Sequence, residues 1–268
     1  MSKIGKLITG IQLLIKNPYL INKVIDDSTI LKNVVLNKNP HLKDGFPMLD
    51  LCDVLPDFNE TITPFSFLNG GSLITDLVLL KGLTKQNNDC TYFEIGTWRG
   101  ESVANVSNHA KTCFTLNLPN EDLKEMGCNQ EYIAQQGFYS KTIKNVTHLK
   151  GNSFDFDFSP YYNKCDVIFV DGDHHYESVL NDTKIAYQLL KDENSVIIWH
   201  DYARNPGEIR WDILRGIFDG TPLEKRNNLF CVSNTLCALF TNSPTKIIDS
   251  TKITPNKKFN VTIKANKI

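Results

Sequence analysis

Several things are missing from this sequence. No apolar run among its 268 residues approaches the roughly 18 that a membrane-crossing helix needs. There is no excess of charge: 29 Lys+Arg face 30 Asp+Glu, a net of -1, which removes the whole-molecule electrostatic footprint of a nucleic-acid binder. The seven cysteines, an odd number, contain no Cys-x-x-Cys pair, so no zinc ribbon or redox dithiol is written here. Cys90, Cys113, Cys165, Cys231 and Cys237 lie in or beside apolar runs and read as reduced, buried thiols of a cytoplasmic protein. Internal repeats and low-complexity blocks are absent as well. What remains is 41% hydrophobic and 10% aromatic, an ordinary folded chain long enough for one large domain or two small ones. An enzyme or small-ligand binder fits this composition, and nucleic acid is not an expected partner.

The order of apolar patterns points to α/β architecture. Ile4, Leu7, Ile8, Ile11, Leu14 and Ile15 recur at steps of three and four and predict an amphipathic helix flanked by Lys3, Lys6 and Lys16. No small-residue cleavage site follows it, so a signal peptide is disfavoured. Its stripe suits docking on the protein's own core, on a second subunit or on a membrane surface. Prolines at 18, 40, 47, 56 and 64 break residues 1–70 into short pieces, read as a helical arm or cap. A helical period starts at residues 72–83. Strands are then expected at 90–95, 113–117, 146–150, 166–170 and 195–199, with helices at 101–111, 121–137 and 177–191 supplying the crossovers of parallel strands. Residues 228–232 and 236–241 are separated by only three residues, which is hairpin spacing. Five parallel strands plus an antiparallel hairpin make a Rossmann-like, seven-stranded sheet with helices on both faces, over residues 71–243. The tail, 244–268, is basic, and its FNVTIK segment alternates like an edge strand, although a loose tail fits equally.

FEIGTWRGES, residues 93–102, ends a strand with an acid and turns into a helix through Gly96 and Gly100. Glycines let a ligand approach the backbone, and open α/β sheets bind ligands at this carboxyl edge. The dinucleotide fingerprint G-x-G-x-x-G is absent. The E-x-G-x-x-x-G spacing resembles motif I of class I S-adenosylmethionine-dependent methyltransferases, whose sheet also ends in an antiparallel hairpin. That resemblance implies a cofactor pocket formed by Glu94, Gly96, Thr97, Trp98 and Gly100. Asn117 would stand where an acid usually holds the ribose, with Asn152 and Ser153 toward the adenine and Asp171 at the next strand end. An amide can still bond a diol.

FVDGDHHYES and IIWHDY close the fourth and fifth strands and bring Asp171, Asp173, His174, His175, His200 and Asp201 to the same edge. Charged and imidazole groups at the ends of buried strands are costly unless paired or used. Carboxylate oxygens there suit a hard cation, and a cation with a histidine base suits methylation of a hydroxyl. D-G-D-H-x-Y-E followed by H-D-Y resembles the metal-dependent sugar O-methyltransferase branch, the macrocin- and rhamnosyl-O-methyltransferase-like enzymes. By that resemblance Asp171 and Asp201 are metal ligands, His174 is the general base, and magnesium is the favoured ion. His200 stands where relatives often carry an acid, and it either ligates the metal or only hydrogen-bonds. Asp173 and His175 are expected to support the ligands. Glu177 and Asp182 suit the N-terminal dipole of the following helix, and Arg204, Arg210 and Trp211 fall in a segment able to cover an acceptor.

The D-H-H run also fits a two-metal phosphoesterase, but the D-x-D-G segment of such enzymes is absent, SFDFDF offering only Asp155 and Asp157. A methyltransferase fold without turnover is the other alternative. The acceptor expected is a sugar, glycan or small molecule. Residues 1–50 hold seven Lys against four Asp, and residues 244–268 hold six Lys against one Asp. These basic ends fit peripheral contact with the inner membrane surface or with an acidic neighbouring subunit in a homo-oligomer.

Overall fold

The computed structural model describes residues 2–25, 27–250 and 255–267. In chain order its elements are α1 (Lys3–Lys16), α2 (Leu20–Ile25), α3 (Ser28–Lys38), β1 (Met48–Leu49), α4 (Leu51–Val54), α5 (Ile74–Lys85), β2 (Thr91–Ile95), α6 (Glu101–Ser107), β3 (Thr112–Asn117), α7 (Asn120–Glu125), α8 (Gln130–Ala134) and β4 (Val146–Lys150). They continue with β5 (Val167–Val170), α9 (Tyr176–Leu189), β6 (Val196–Trp199), β7 (Ala203–Asn205), β8 (Glu208–Ile209), α10 (Trp211–Gly220), β9 (Leu229–Val232), β10 (Ala238–Phe240) and β11 (Ile247–Ile248).

The main sheet runs β11-β1-β9-β10-β6-β5-β2-β3-β4. Five adjacent strands, β6-β5-β2-β3-β4, are parallel and reach one edge of the sheet at β4, and β10 and β9 form the expected antiparallel hairpin beside β6. This is a Rossmann-like α/β sheet with helices on both faces. Strands β5 (VIFV) and β6 (VIIW) are buried at every position, as parallel strands covered on both sides must be. Alternation divides their side chains between two cores. Ile168, Val170, Ile197 and Trp199 join α9, α10 and α3, whereas Val167, Phe169, Val196 and Ile198 join α4, α5 and α6.

Three features depart from the sequence pattern. The sheet has nine strands, because Met48–Leu49 of the expected arm adds to β9 in parallel and Ile247–Ile248 pairs with it from the tail. Leu49, Leu51, Val54 and Leu55 are buried in the core, so this part of the arm is built into the fold. Of the two readings open for FNVTIK, an edge strand or a loose tail, no strand forms there among the described residues. The tail is instead tied back by Lys257, whose ammonium donates to both Asp50 carboxylate oxygens at 2.7 Å. The helix expected over 121–137 is two short ones. Gly127, at φ 85, ends α7 with Cys128 N–H bonding Leu123 O and Gly127 N–H bonding Lys124 O, the glycine-capped helix stop.

The five cysteines expected inside are buried, Cys52 is exposed, and all seven are free thiols. No residue of α1 is buried, so this helix does not dock on the protein's own core. No helix among the described residues is long and apolar enough to cross a membrane.

Candidate active site

The chain leaves β2 toward β3 and β4 on one side, then returns to place β5 and β6 on the other, so order reverses between β2 and β5. Ligands of open α/β sheets bind in the crevice at such a switch point, outside the carboxyl ends of the strands. Gly96 and Asp171 face each other across it. Gly96 has φ +102, and a Cβ there would lie 2.0 Å from the Asp171 carbonyl oxygen, so only glycine permits the two turns to meet. The crowding at Gly100 has a different source: its missing Cβ leaves room for the Ser140 hydroxyl, 2.1 Å from where that atom would be. Trp98, between them, is held at φ 42, a left-handed conformation that a bulky residue rarely adopts. Its ring packs on Tyr132 with centroids 4.1 Å apart, and its indole N–H is buried without an acceptor.

Beneath this turn lies a buried polar chain. Glu94 accepts the Tyr92 hydroxyl at 2.7 Å and the Thr115 hydroxyl at 3.0 Å, and Thr115 in turn meets the Thr97 hydroxyl at 2.6 Å. Burial pushes the Glu94 carboxyl up to about 8, even with hydrogen bonds from Ser102, Tyr92 and Thr115 acting in the opposite sense. Glu94 and Thr97 therefore stiffen the turn from below. Asn117, at the end of β3, donates to the side-chain oxygen of Gln136. Asn152 caps its own turn by accepting Phe154 N–H, and the Ser153 carbonyl accepts from Asn181.

The second cluster forms where β5 and β6 end. Alternation along β6 turns His200 to the α5 side, where its Nε2 lies 3.0 Å from Asp76 Oδ2. The other ring nitrogen, Nδ1, is 3.2 Å from Asp171 Oδ1 and 3.3 Å from Asp201 Oδ2. His174 Nε2 stands 2.7 Å from Asp201 Oδ2 and 4.0 Å from Asp171 Oδ1. Asp201 takes φ 55, and its other oxygen is 3.7 Å from Arg210 Nη1.

These contacts set the protonation states. Burial works against charge on His200, but the Asp171 carboxylate and the bonds to Asp171, Asp201 and Asp76 outweigh it and hold the ring protonated well above its ordinary range. His174 is pushed up to about 9 by the carboxylates of Asp171 and then Asp201 close to its ring. Burial raises the Asp201 carboxyl, but the two histidines reverse this and hold it far below the usual carboxylate range. Asp171 is lowered too, burial being outweighed by the His200 charge and the two imidazole bonds.

The donor set fits a divalent cation. Asp171, His200 and Asp201 each offer one atom, all within 4.8 Å of one another. Asp76 accepts from His200 Nε2–H, so in a neutral ring the Nδ1 lone pair would face two carboxylate oxygens. Such an arrangement repels itself unless a proton or a metal ion lies between. Neither His200 Nδ1 nor His174 Nε2 makes a well-aligned hydrogen bond, although carboxylate oxygens are close to both. A ligating histidine whose far nitrogen is held by a carboxylate is the usual outer support of a metal site.

Asp76 is the residue that the sequence pattern hides. It lies in the apolar helix SLITDLVLLKGL, fully buried, and beyond His200 it accepts from Leu73 N–H at 2.7 Å and Leu236 N–H at 2.8 Å. The only sign of it in the sequence is an acid inside an apolar helical run. Asp182 is also repositioned. Rather than serving the dipole of α9, it is buried beside Gly172 and Ser153, and desolvation pushes it up to about 6 despite bonds from Ser153 and Asn181. Asp173 and His175 pair with each other at 2.7 Å, and Ser178 donates to Asp173, so they close the start of α9 rather than supporting the cation ligands.

The former arm reaches this edge as well. Arg99 donates to Asn69 O and to Glu101, whose second oxygen accepts Ser66 N–H; Asn105 bridges Thr63 N–H and Pro64 O. Residues 63–69 thus line the rim of the glycine turn. Over the other flank, β7 and β8 form a small two-stranded sheet ahead of α10.

A methyltransferase domain model matches residues 93–202. That segment runs from β2 and the glycine turn to just beyond Asp201. An uncharacterized protein of Acanthamoeba polyphaga mimivirus is 30% identical over 141 residues, 48% of this chain and 57% of that protein's length. Among solved structures, the SAH-complexed O-methyltransferase from Bacillus cereus is 16% identical, over 83% of this chain and 94% of that one, with a TM-score of 0.42. The SAH-bound Podospora anserina methyltransferase is 17% identical over 68% and 84%, also with a TM-score of 0.42.

Proposed function

We propose that the chain is an S-adenosylmethionine-dependent, divalent-cation-assisted O-methyltransferase acting on a hydroxyl of a sugar or glycoconjugate. The observation that carries this reading is the Asp171/His200/Asp201 cluster beside the glycine turn, on the two sides of the β2–β5 switch point. Gly96, Trp98 and Gly100 form the turn on which the methionine part of the cofactor would lie. Asn117 is the ribose partner, once Gln136 yields its place, and Asn152 and Ser153 border the adenine end.

Asp171, His200 and Asp201 would hold the cation, most simply magnesium, with Asp76 orienting His200. When bound, the ion would polarise the acceptor hydroxyl and ease loss of its proton. His174 would take that proton. Asp171 and Asp201, both beside its Nε2, would orient the ring for that transfer. Arg210, 3.7 Å from Asp201 Oδ1, would be within reach of an acceptor held there. The two-metal hydrolase alternative has less support, because a single cluster of three ligands forms among the described residues, and Asp155 and Asp157 are not in it.

The test is methyl transfer from labelled S-adenosylmethionine to a glycan mixture in magnesium. Chelation should stop the reaction, and His174→Ala should slow it by roughly 10²- to 10⁴-fold while cofactor binding persists by calorimetry. Chelator-resistant transfer would remove the cation, and unchanged turnover in the variant would remove His174.

A further inference from the structure

The largest departure from ordinary burial lies far along the chain from this site. Helix α1 exposes Ile4 (72%), Leu7 (63%), Ile8 (52%), Ile11 (49%) and Ile15 (74%), and none of its residues is buried. At 100° per residue these five fall within one third of the helix circumference, a single stripe, with Lys3, Lys6 and Lys16 on its flanks and back. Helix α2 continues the exposure through Tyr19 just before it and Ile21, Val24 and Ile25 within it. The fold attaches only after this, at α3, where Val35 is buried and Lys32 lies 5.1 Å over the Trp211 ring. Large exposed apolar patches on soluble proteins mark interaction sites.

Charge selects the occupant. Residues 2–25 contain Lys3, Lys6, Lys16 and Lys23 and no Asp or Glu. Two copies of such a helix, face to face, would bring together like charges with nothing to pair them. An anionic lipid surface supplies both what the stripe and what the lysines require: acyl boundary for the isoleucines and leucines, and phosphate and carboxylate for the ammonium groups. Fourteen residues make a helix of about 21 Å, too short to cross a bilayer and long enough to lie in its interface. We propose that α1 and α2 dock this protein on an anionic membrane surface, with the stripe of Ile4, Leu7, Ile8, Ile11 and Ile15 immersed and the lysines at the headgroups. The inference is independent of the methyl-transfer reading.

Cosedimentation of the full chain with phosphatidylcholine vesicles, with and without phosphatidylserine, tests it. The chain should pellet with the anionic vesicles only, and release with added salt. Leu7→Glu/Ile11→Glu should abolish the association. Lys3→Gln/Lys6→Gln/Lys16→Gln should weaken it on the order of 100-fold. Neither variant removes a buried group, so circular-dichroism melting should be unchanged and confirms that loss is not unfolding. Absence of vesicle binding, binding indifferent to lipid charge, or binding unaffected by Leu7→Glu/Ile11→Glu would overturn the proposal. So would a dimer in sedimentation velocity that this variant turns into monomer without lipid, which would assign the stripe to a second copy.

Discussion

The two edges of the parallel sheet are made by the same five strands and differ in what they carry. At the amino edge, the buried Asp166 carboxylate accepts from the half-exposed Lys191 ammonium at 2.8 Å and from Thr91 N–H at 2.8 Å, so its charge is paired one to one. A cavity of about 390 Å³ opens there, and its polar lining, which includes Gln86, Asn87, Asn194 and Thr241, is uncharged. At the carboxyl edge Asp76, Asp171, Asp201, His174 and His200 crowd together, with Glu94 and Asp182 buried close by. Left-handed backbone occurs at both edges, but the amino-edge cases are Asp89 and Asn163, exposed residues of types that tolerate it. At the carboxyl edge it occurs at Asp201, again a tolerant type, and at Trp98, a bulky residue that rarely adopts it. Strain and opposed charge persist only where surrounding structure holds them in place, and they collect where function needs them.

Substitutions on the two sides sharpen this contrast. The largest effect is expected for Asp76→Ala, which leaves His200 Nε2–H and the backbone N–H groups of Leu73 and Leu236 buried without an acceptor. Denaturant unfolding should show a loss of about 3–5 kcal/mol; a loss under about 1 kcal/mol would show that the carboxylate is dispensable.

Glu94 is next, and its effect depends on pH. Its folded carboxyl titrates near 8 and its free value is 4.5, so the folded chain keeps a proton that the unfolded chain releases. This contribution to stability is complete below about 4.5, declines as pH rises toward 8 and is gone above it. Glu94→Gln removes the slope. Between pH 5 and pH 8 the variant should gain about 2–4 kcal/mol on the wild type in melts compared pH by pH, and parallel profiles would contradict the raised carboxyl. The smallest change is expected at the amino edge, where Lys191→Ala should cost no more than about 1 kcal/mol, because the lysine is half exposed and screened. A cost matching that of Asp76→Ala would erase the distinction between the edges.

Much of this was legible in the chain. FEIGTWRG placed the glycine turn, and DGDHH and WHDY placed acids and imidazoles at two strand ends, because strands joined by crossover helices run parallel and end at the same edge. The nine-stranded sheet was not legible. Met48–Leu49 and Ile247–Ile248 are two-residue strands, too short to leave a periodic signal, and only their pairing partners define them. Asp182 was misjudged because its sequence position suits a helix dipole, whereas its depth in α9 depends on the turn packed over it.

The sequence by itself determined the α/β order, the crossover helices, the hairpin and the residues gathered at the carboxyl edge, since local periodicity and turn chemistry act over a few residues. It also determined the apolar stripe and lysines of α1. Only the tertiary structure decided that this stripe stays uncovered, that Gly96 meets the backbone of Asp171, and that Asp76 reaches His200 across 124 positions of chain. Those contacts join segments distant in sequence, and their geometry follows from how helices settle on the sheet, which no local pattern encodes.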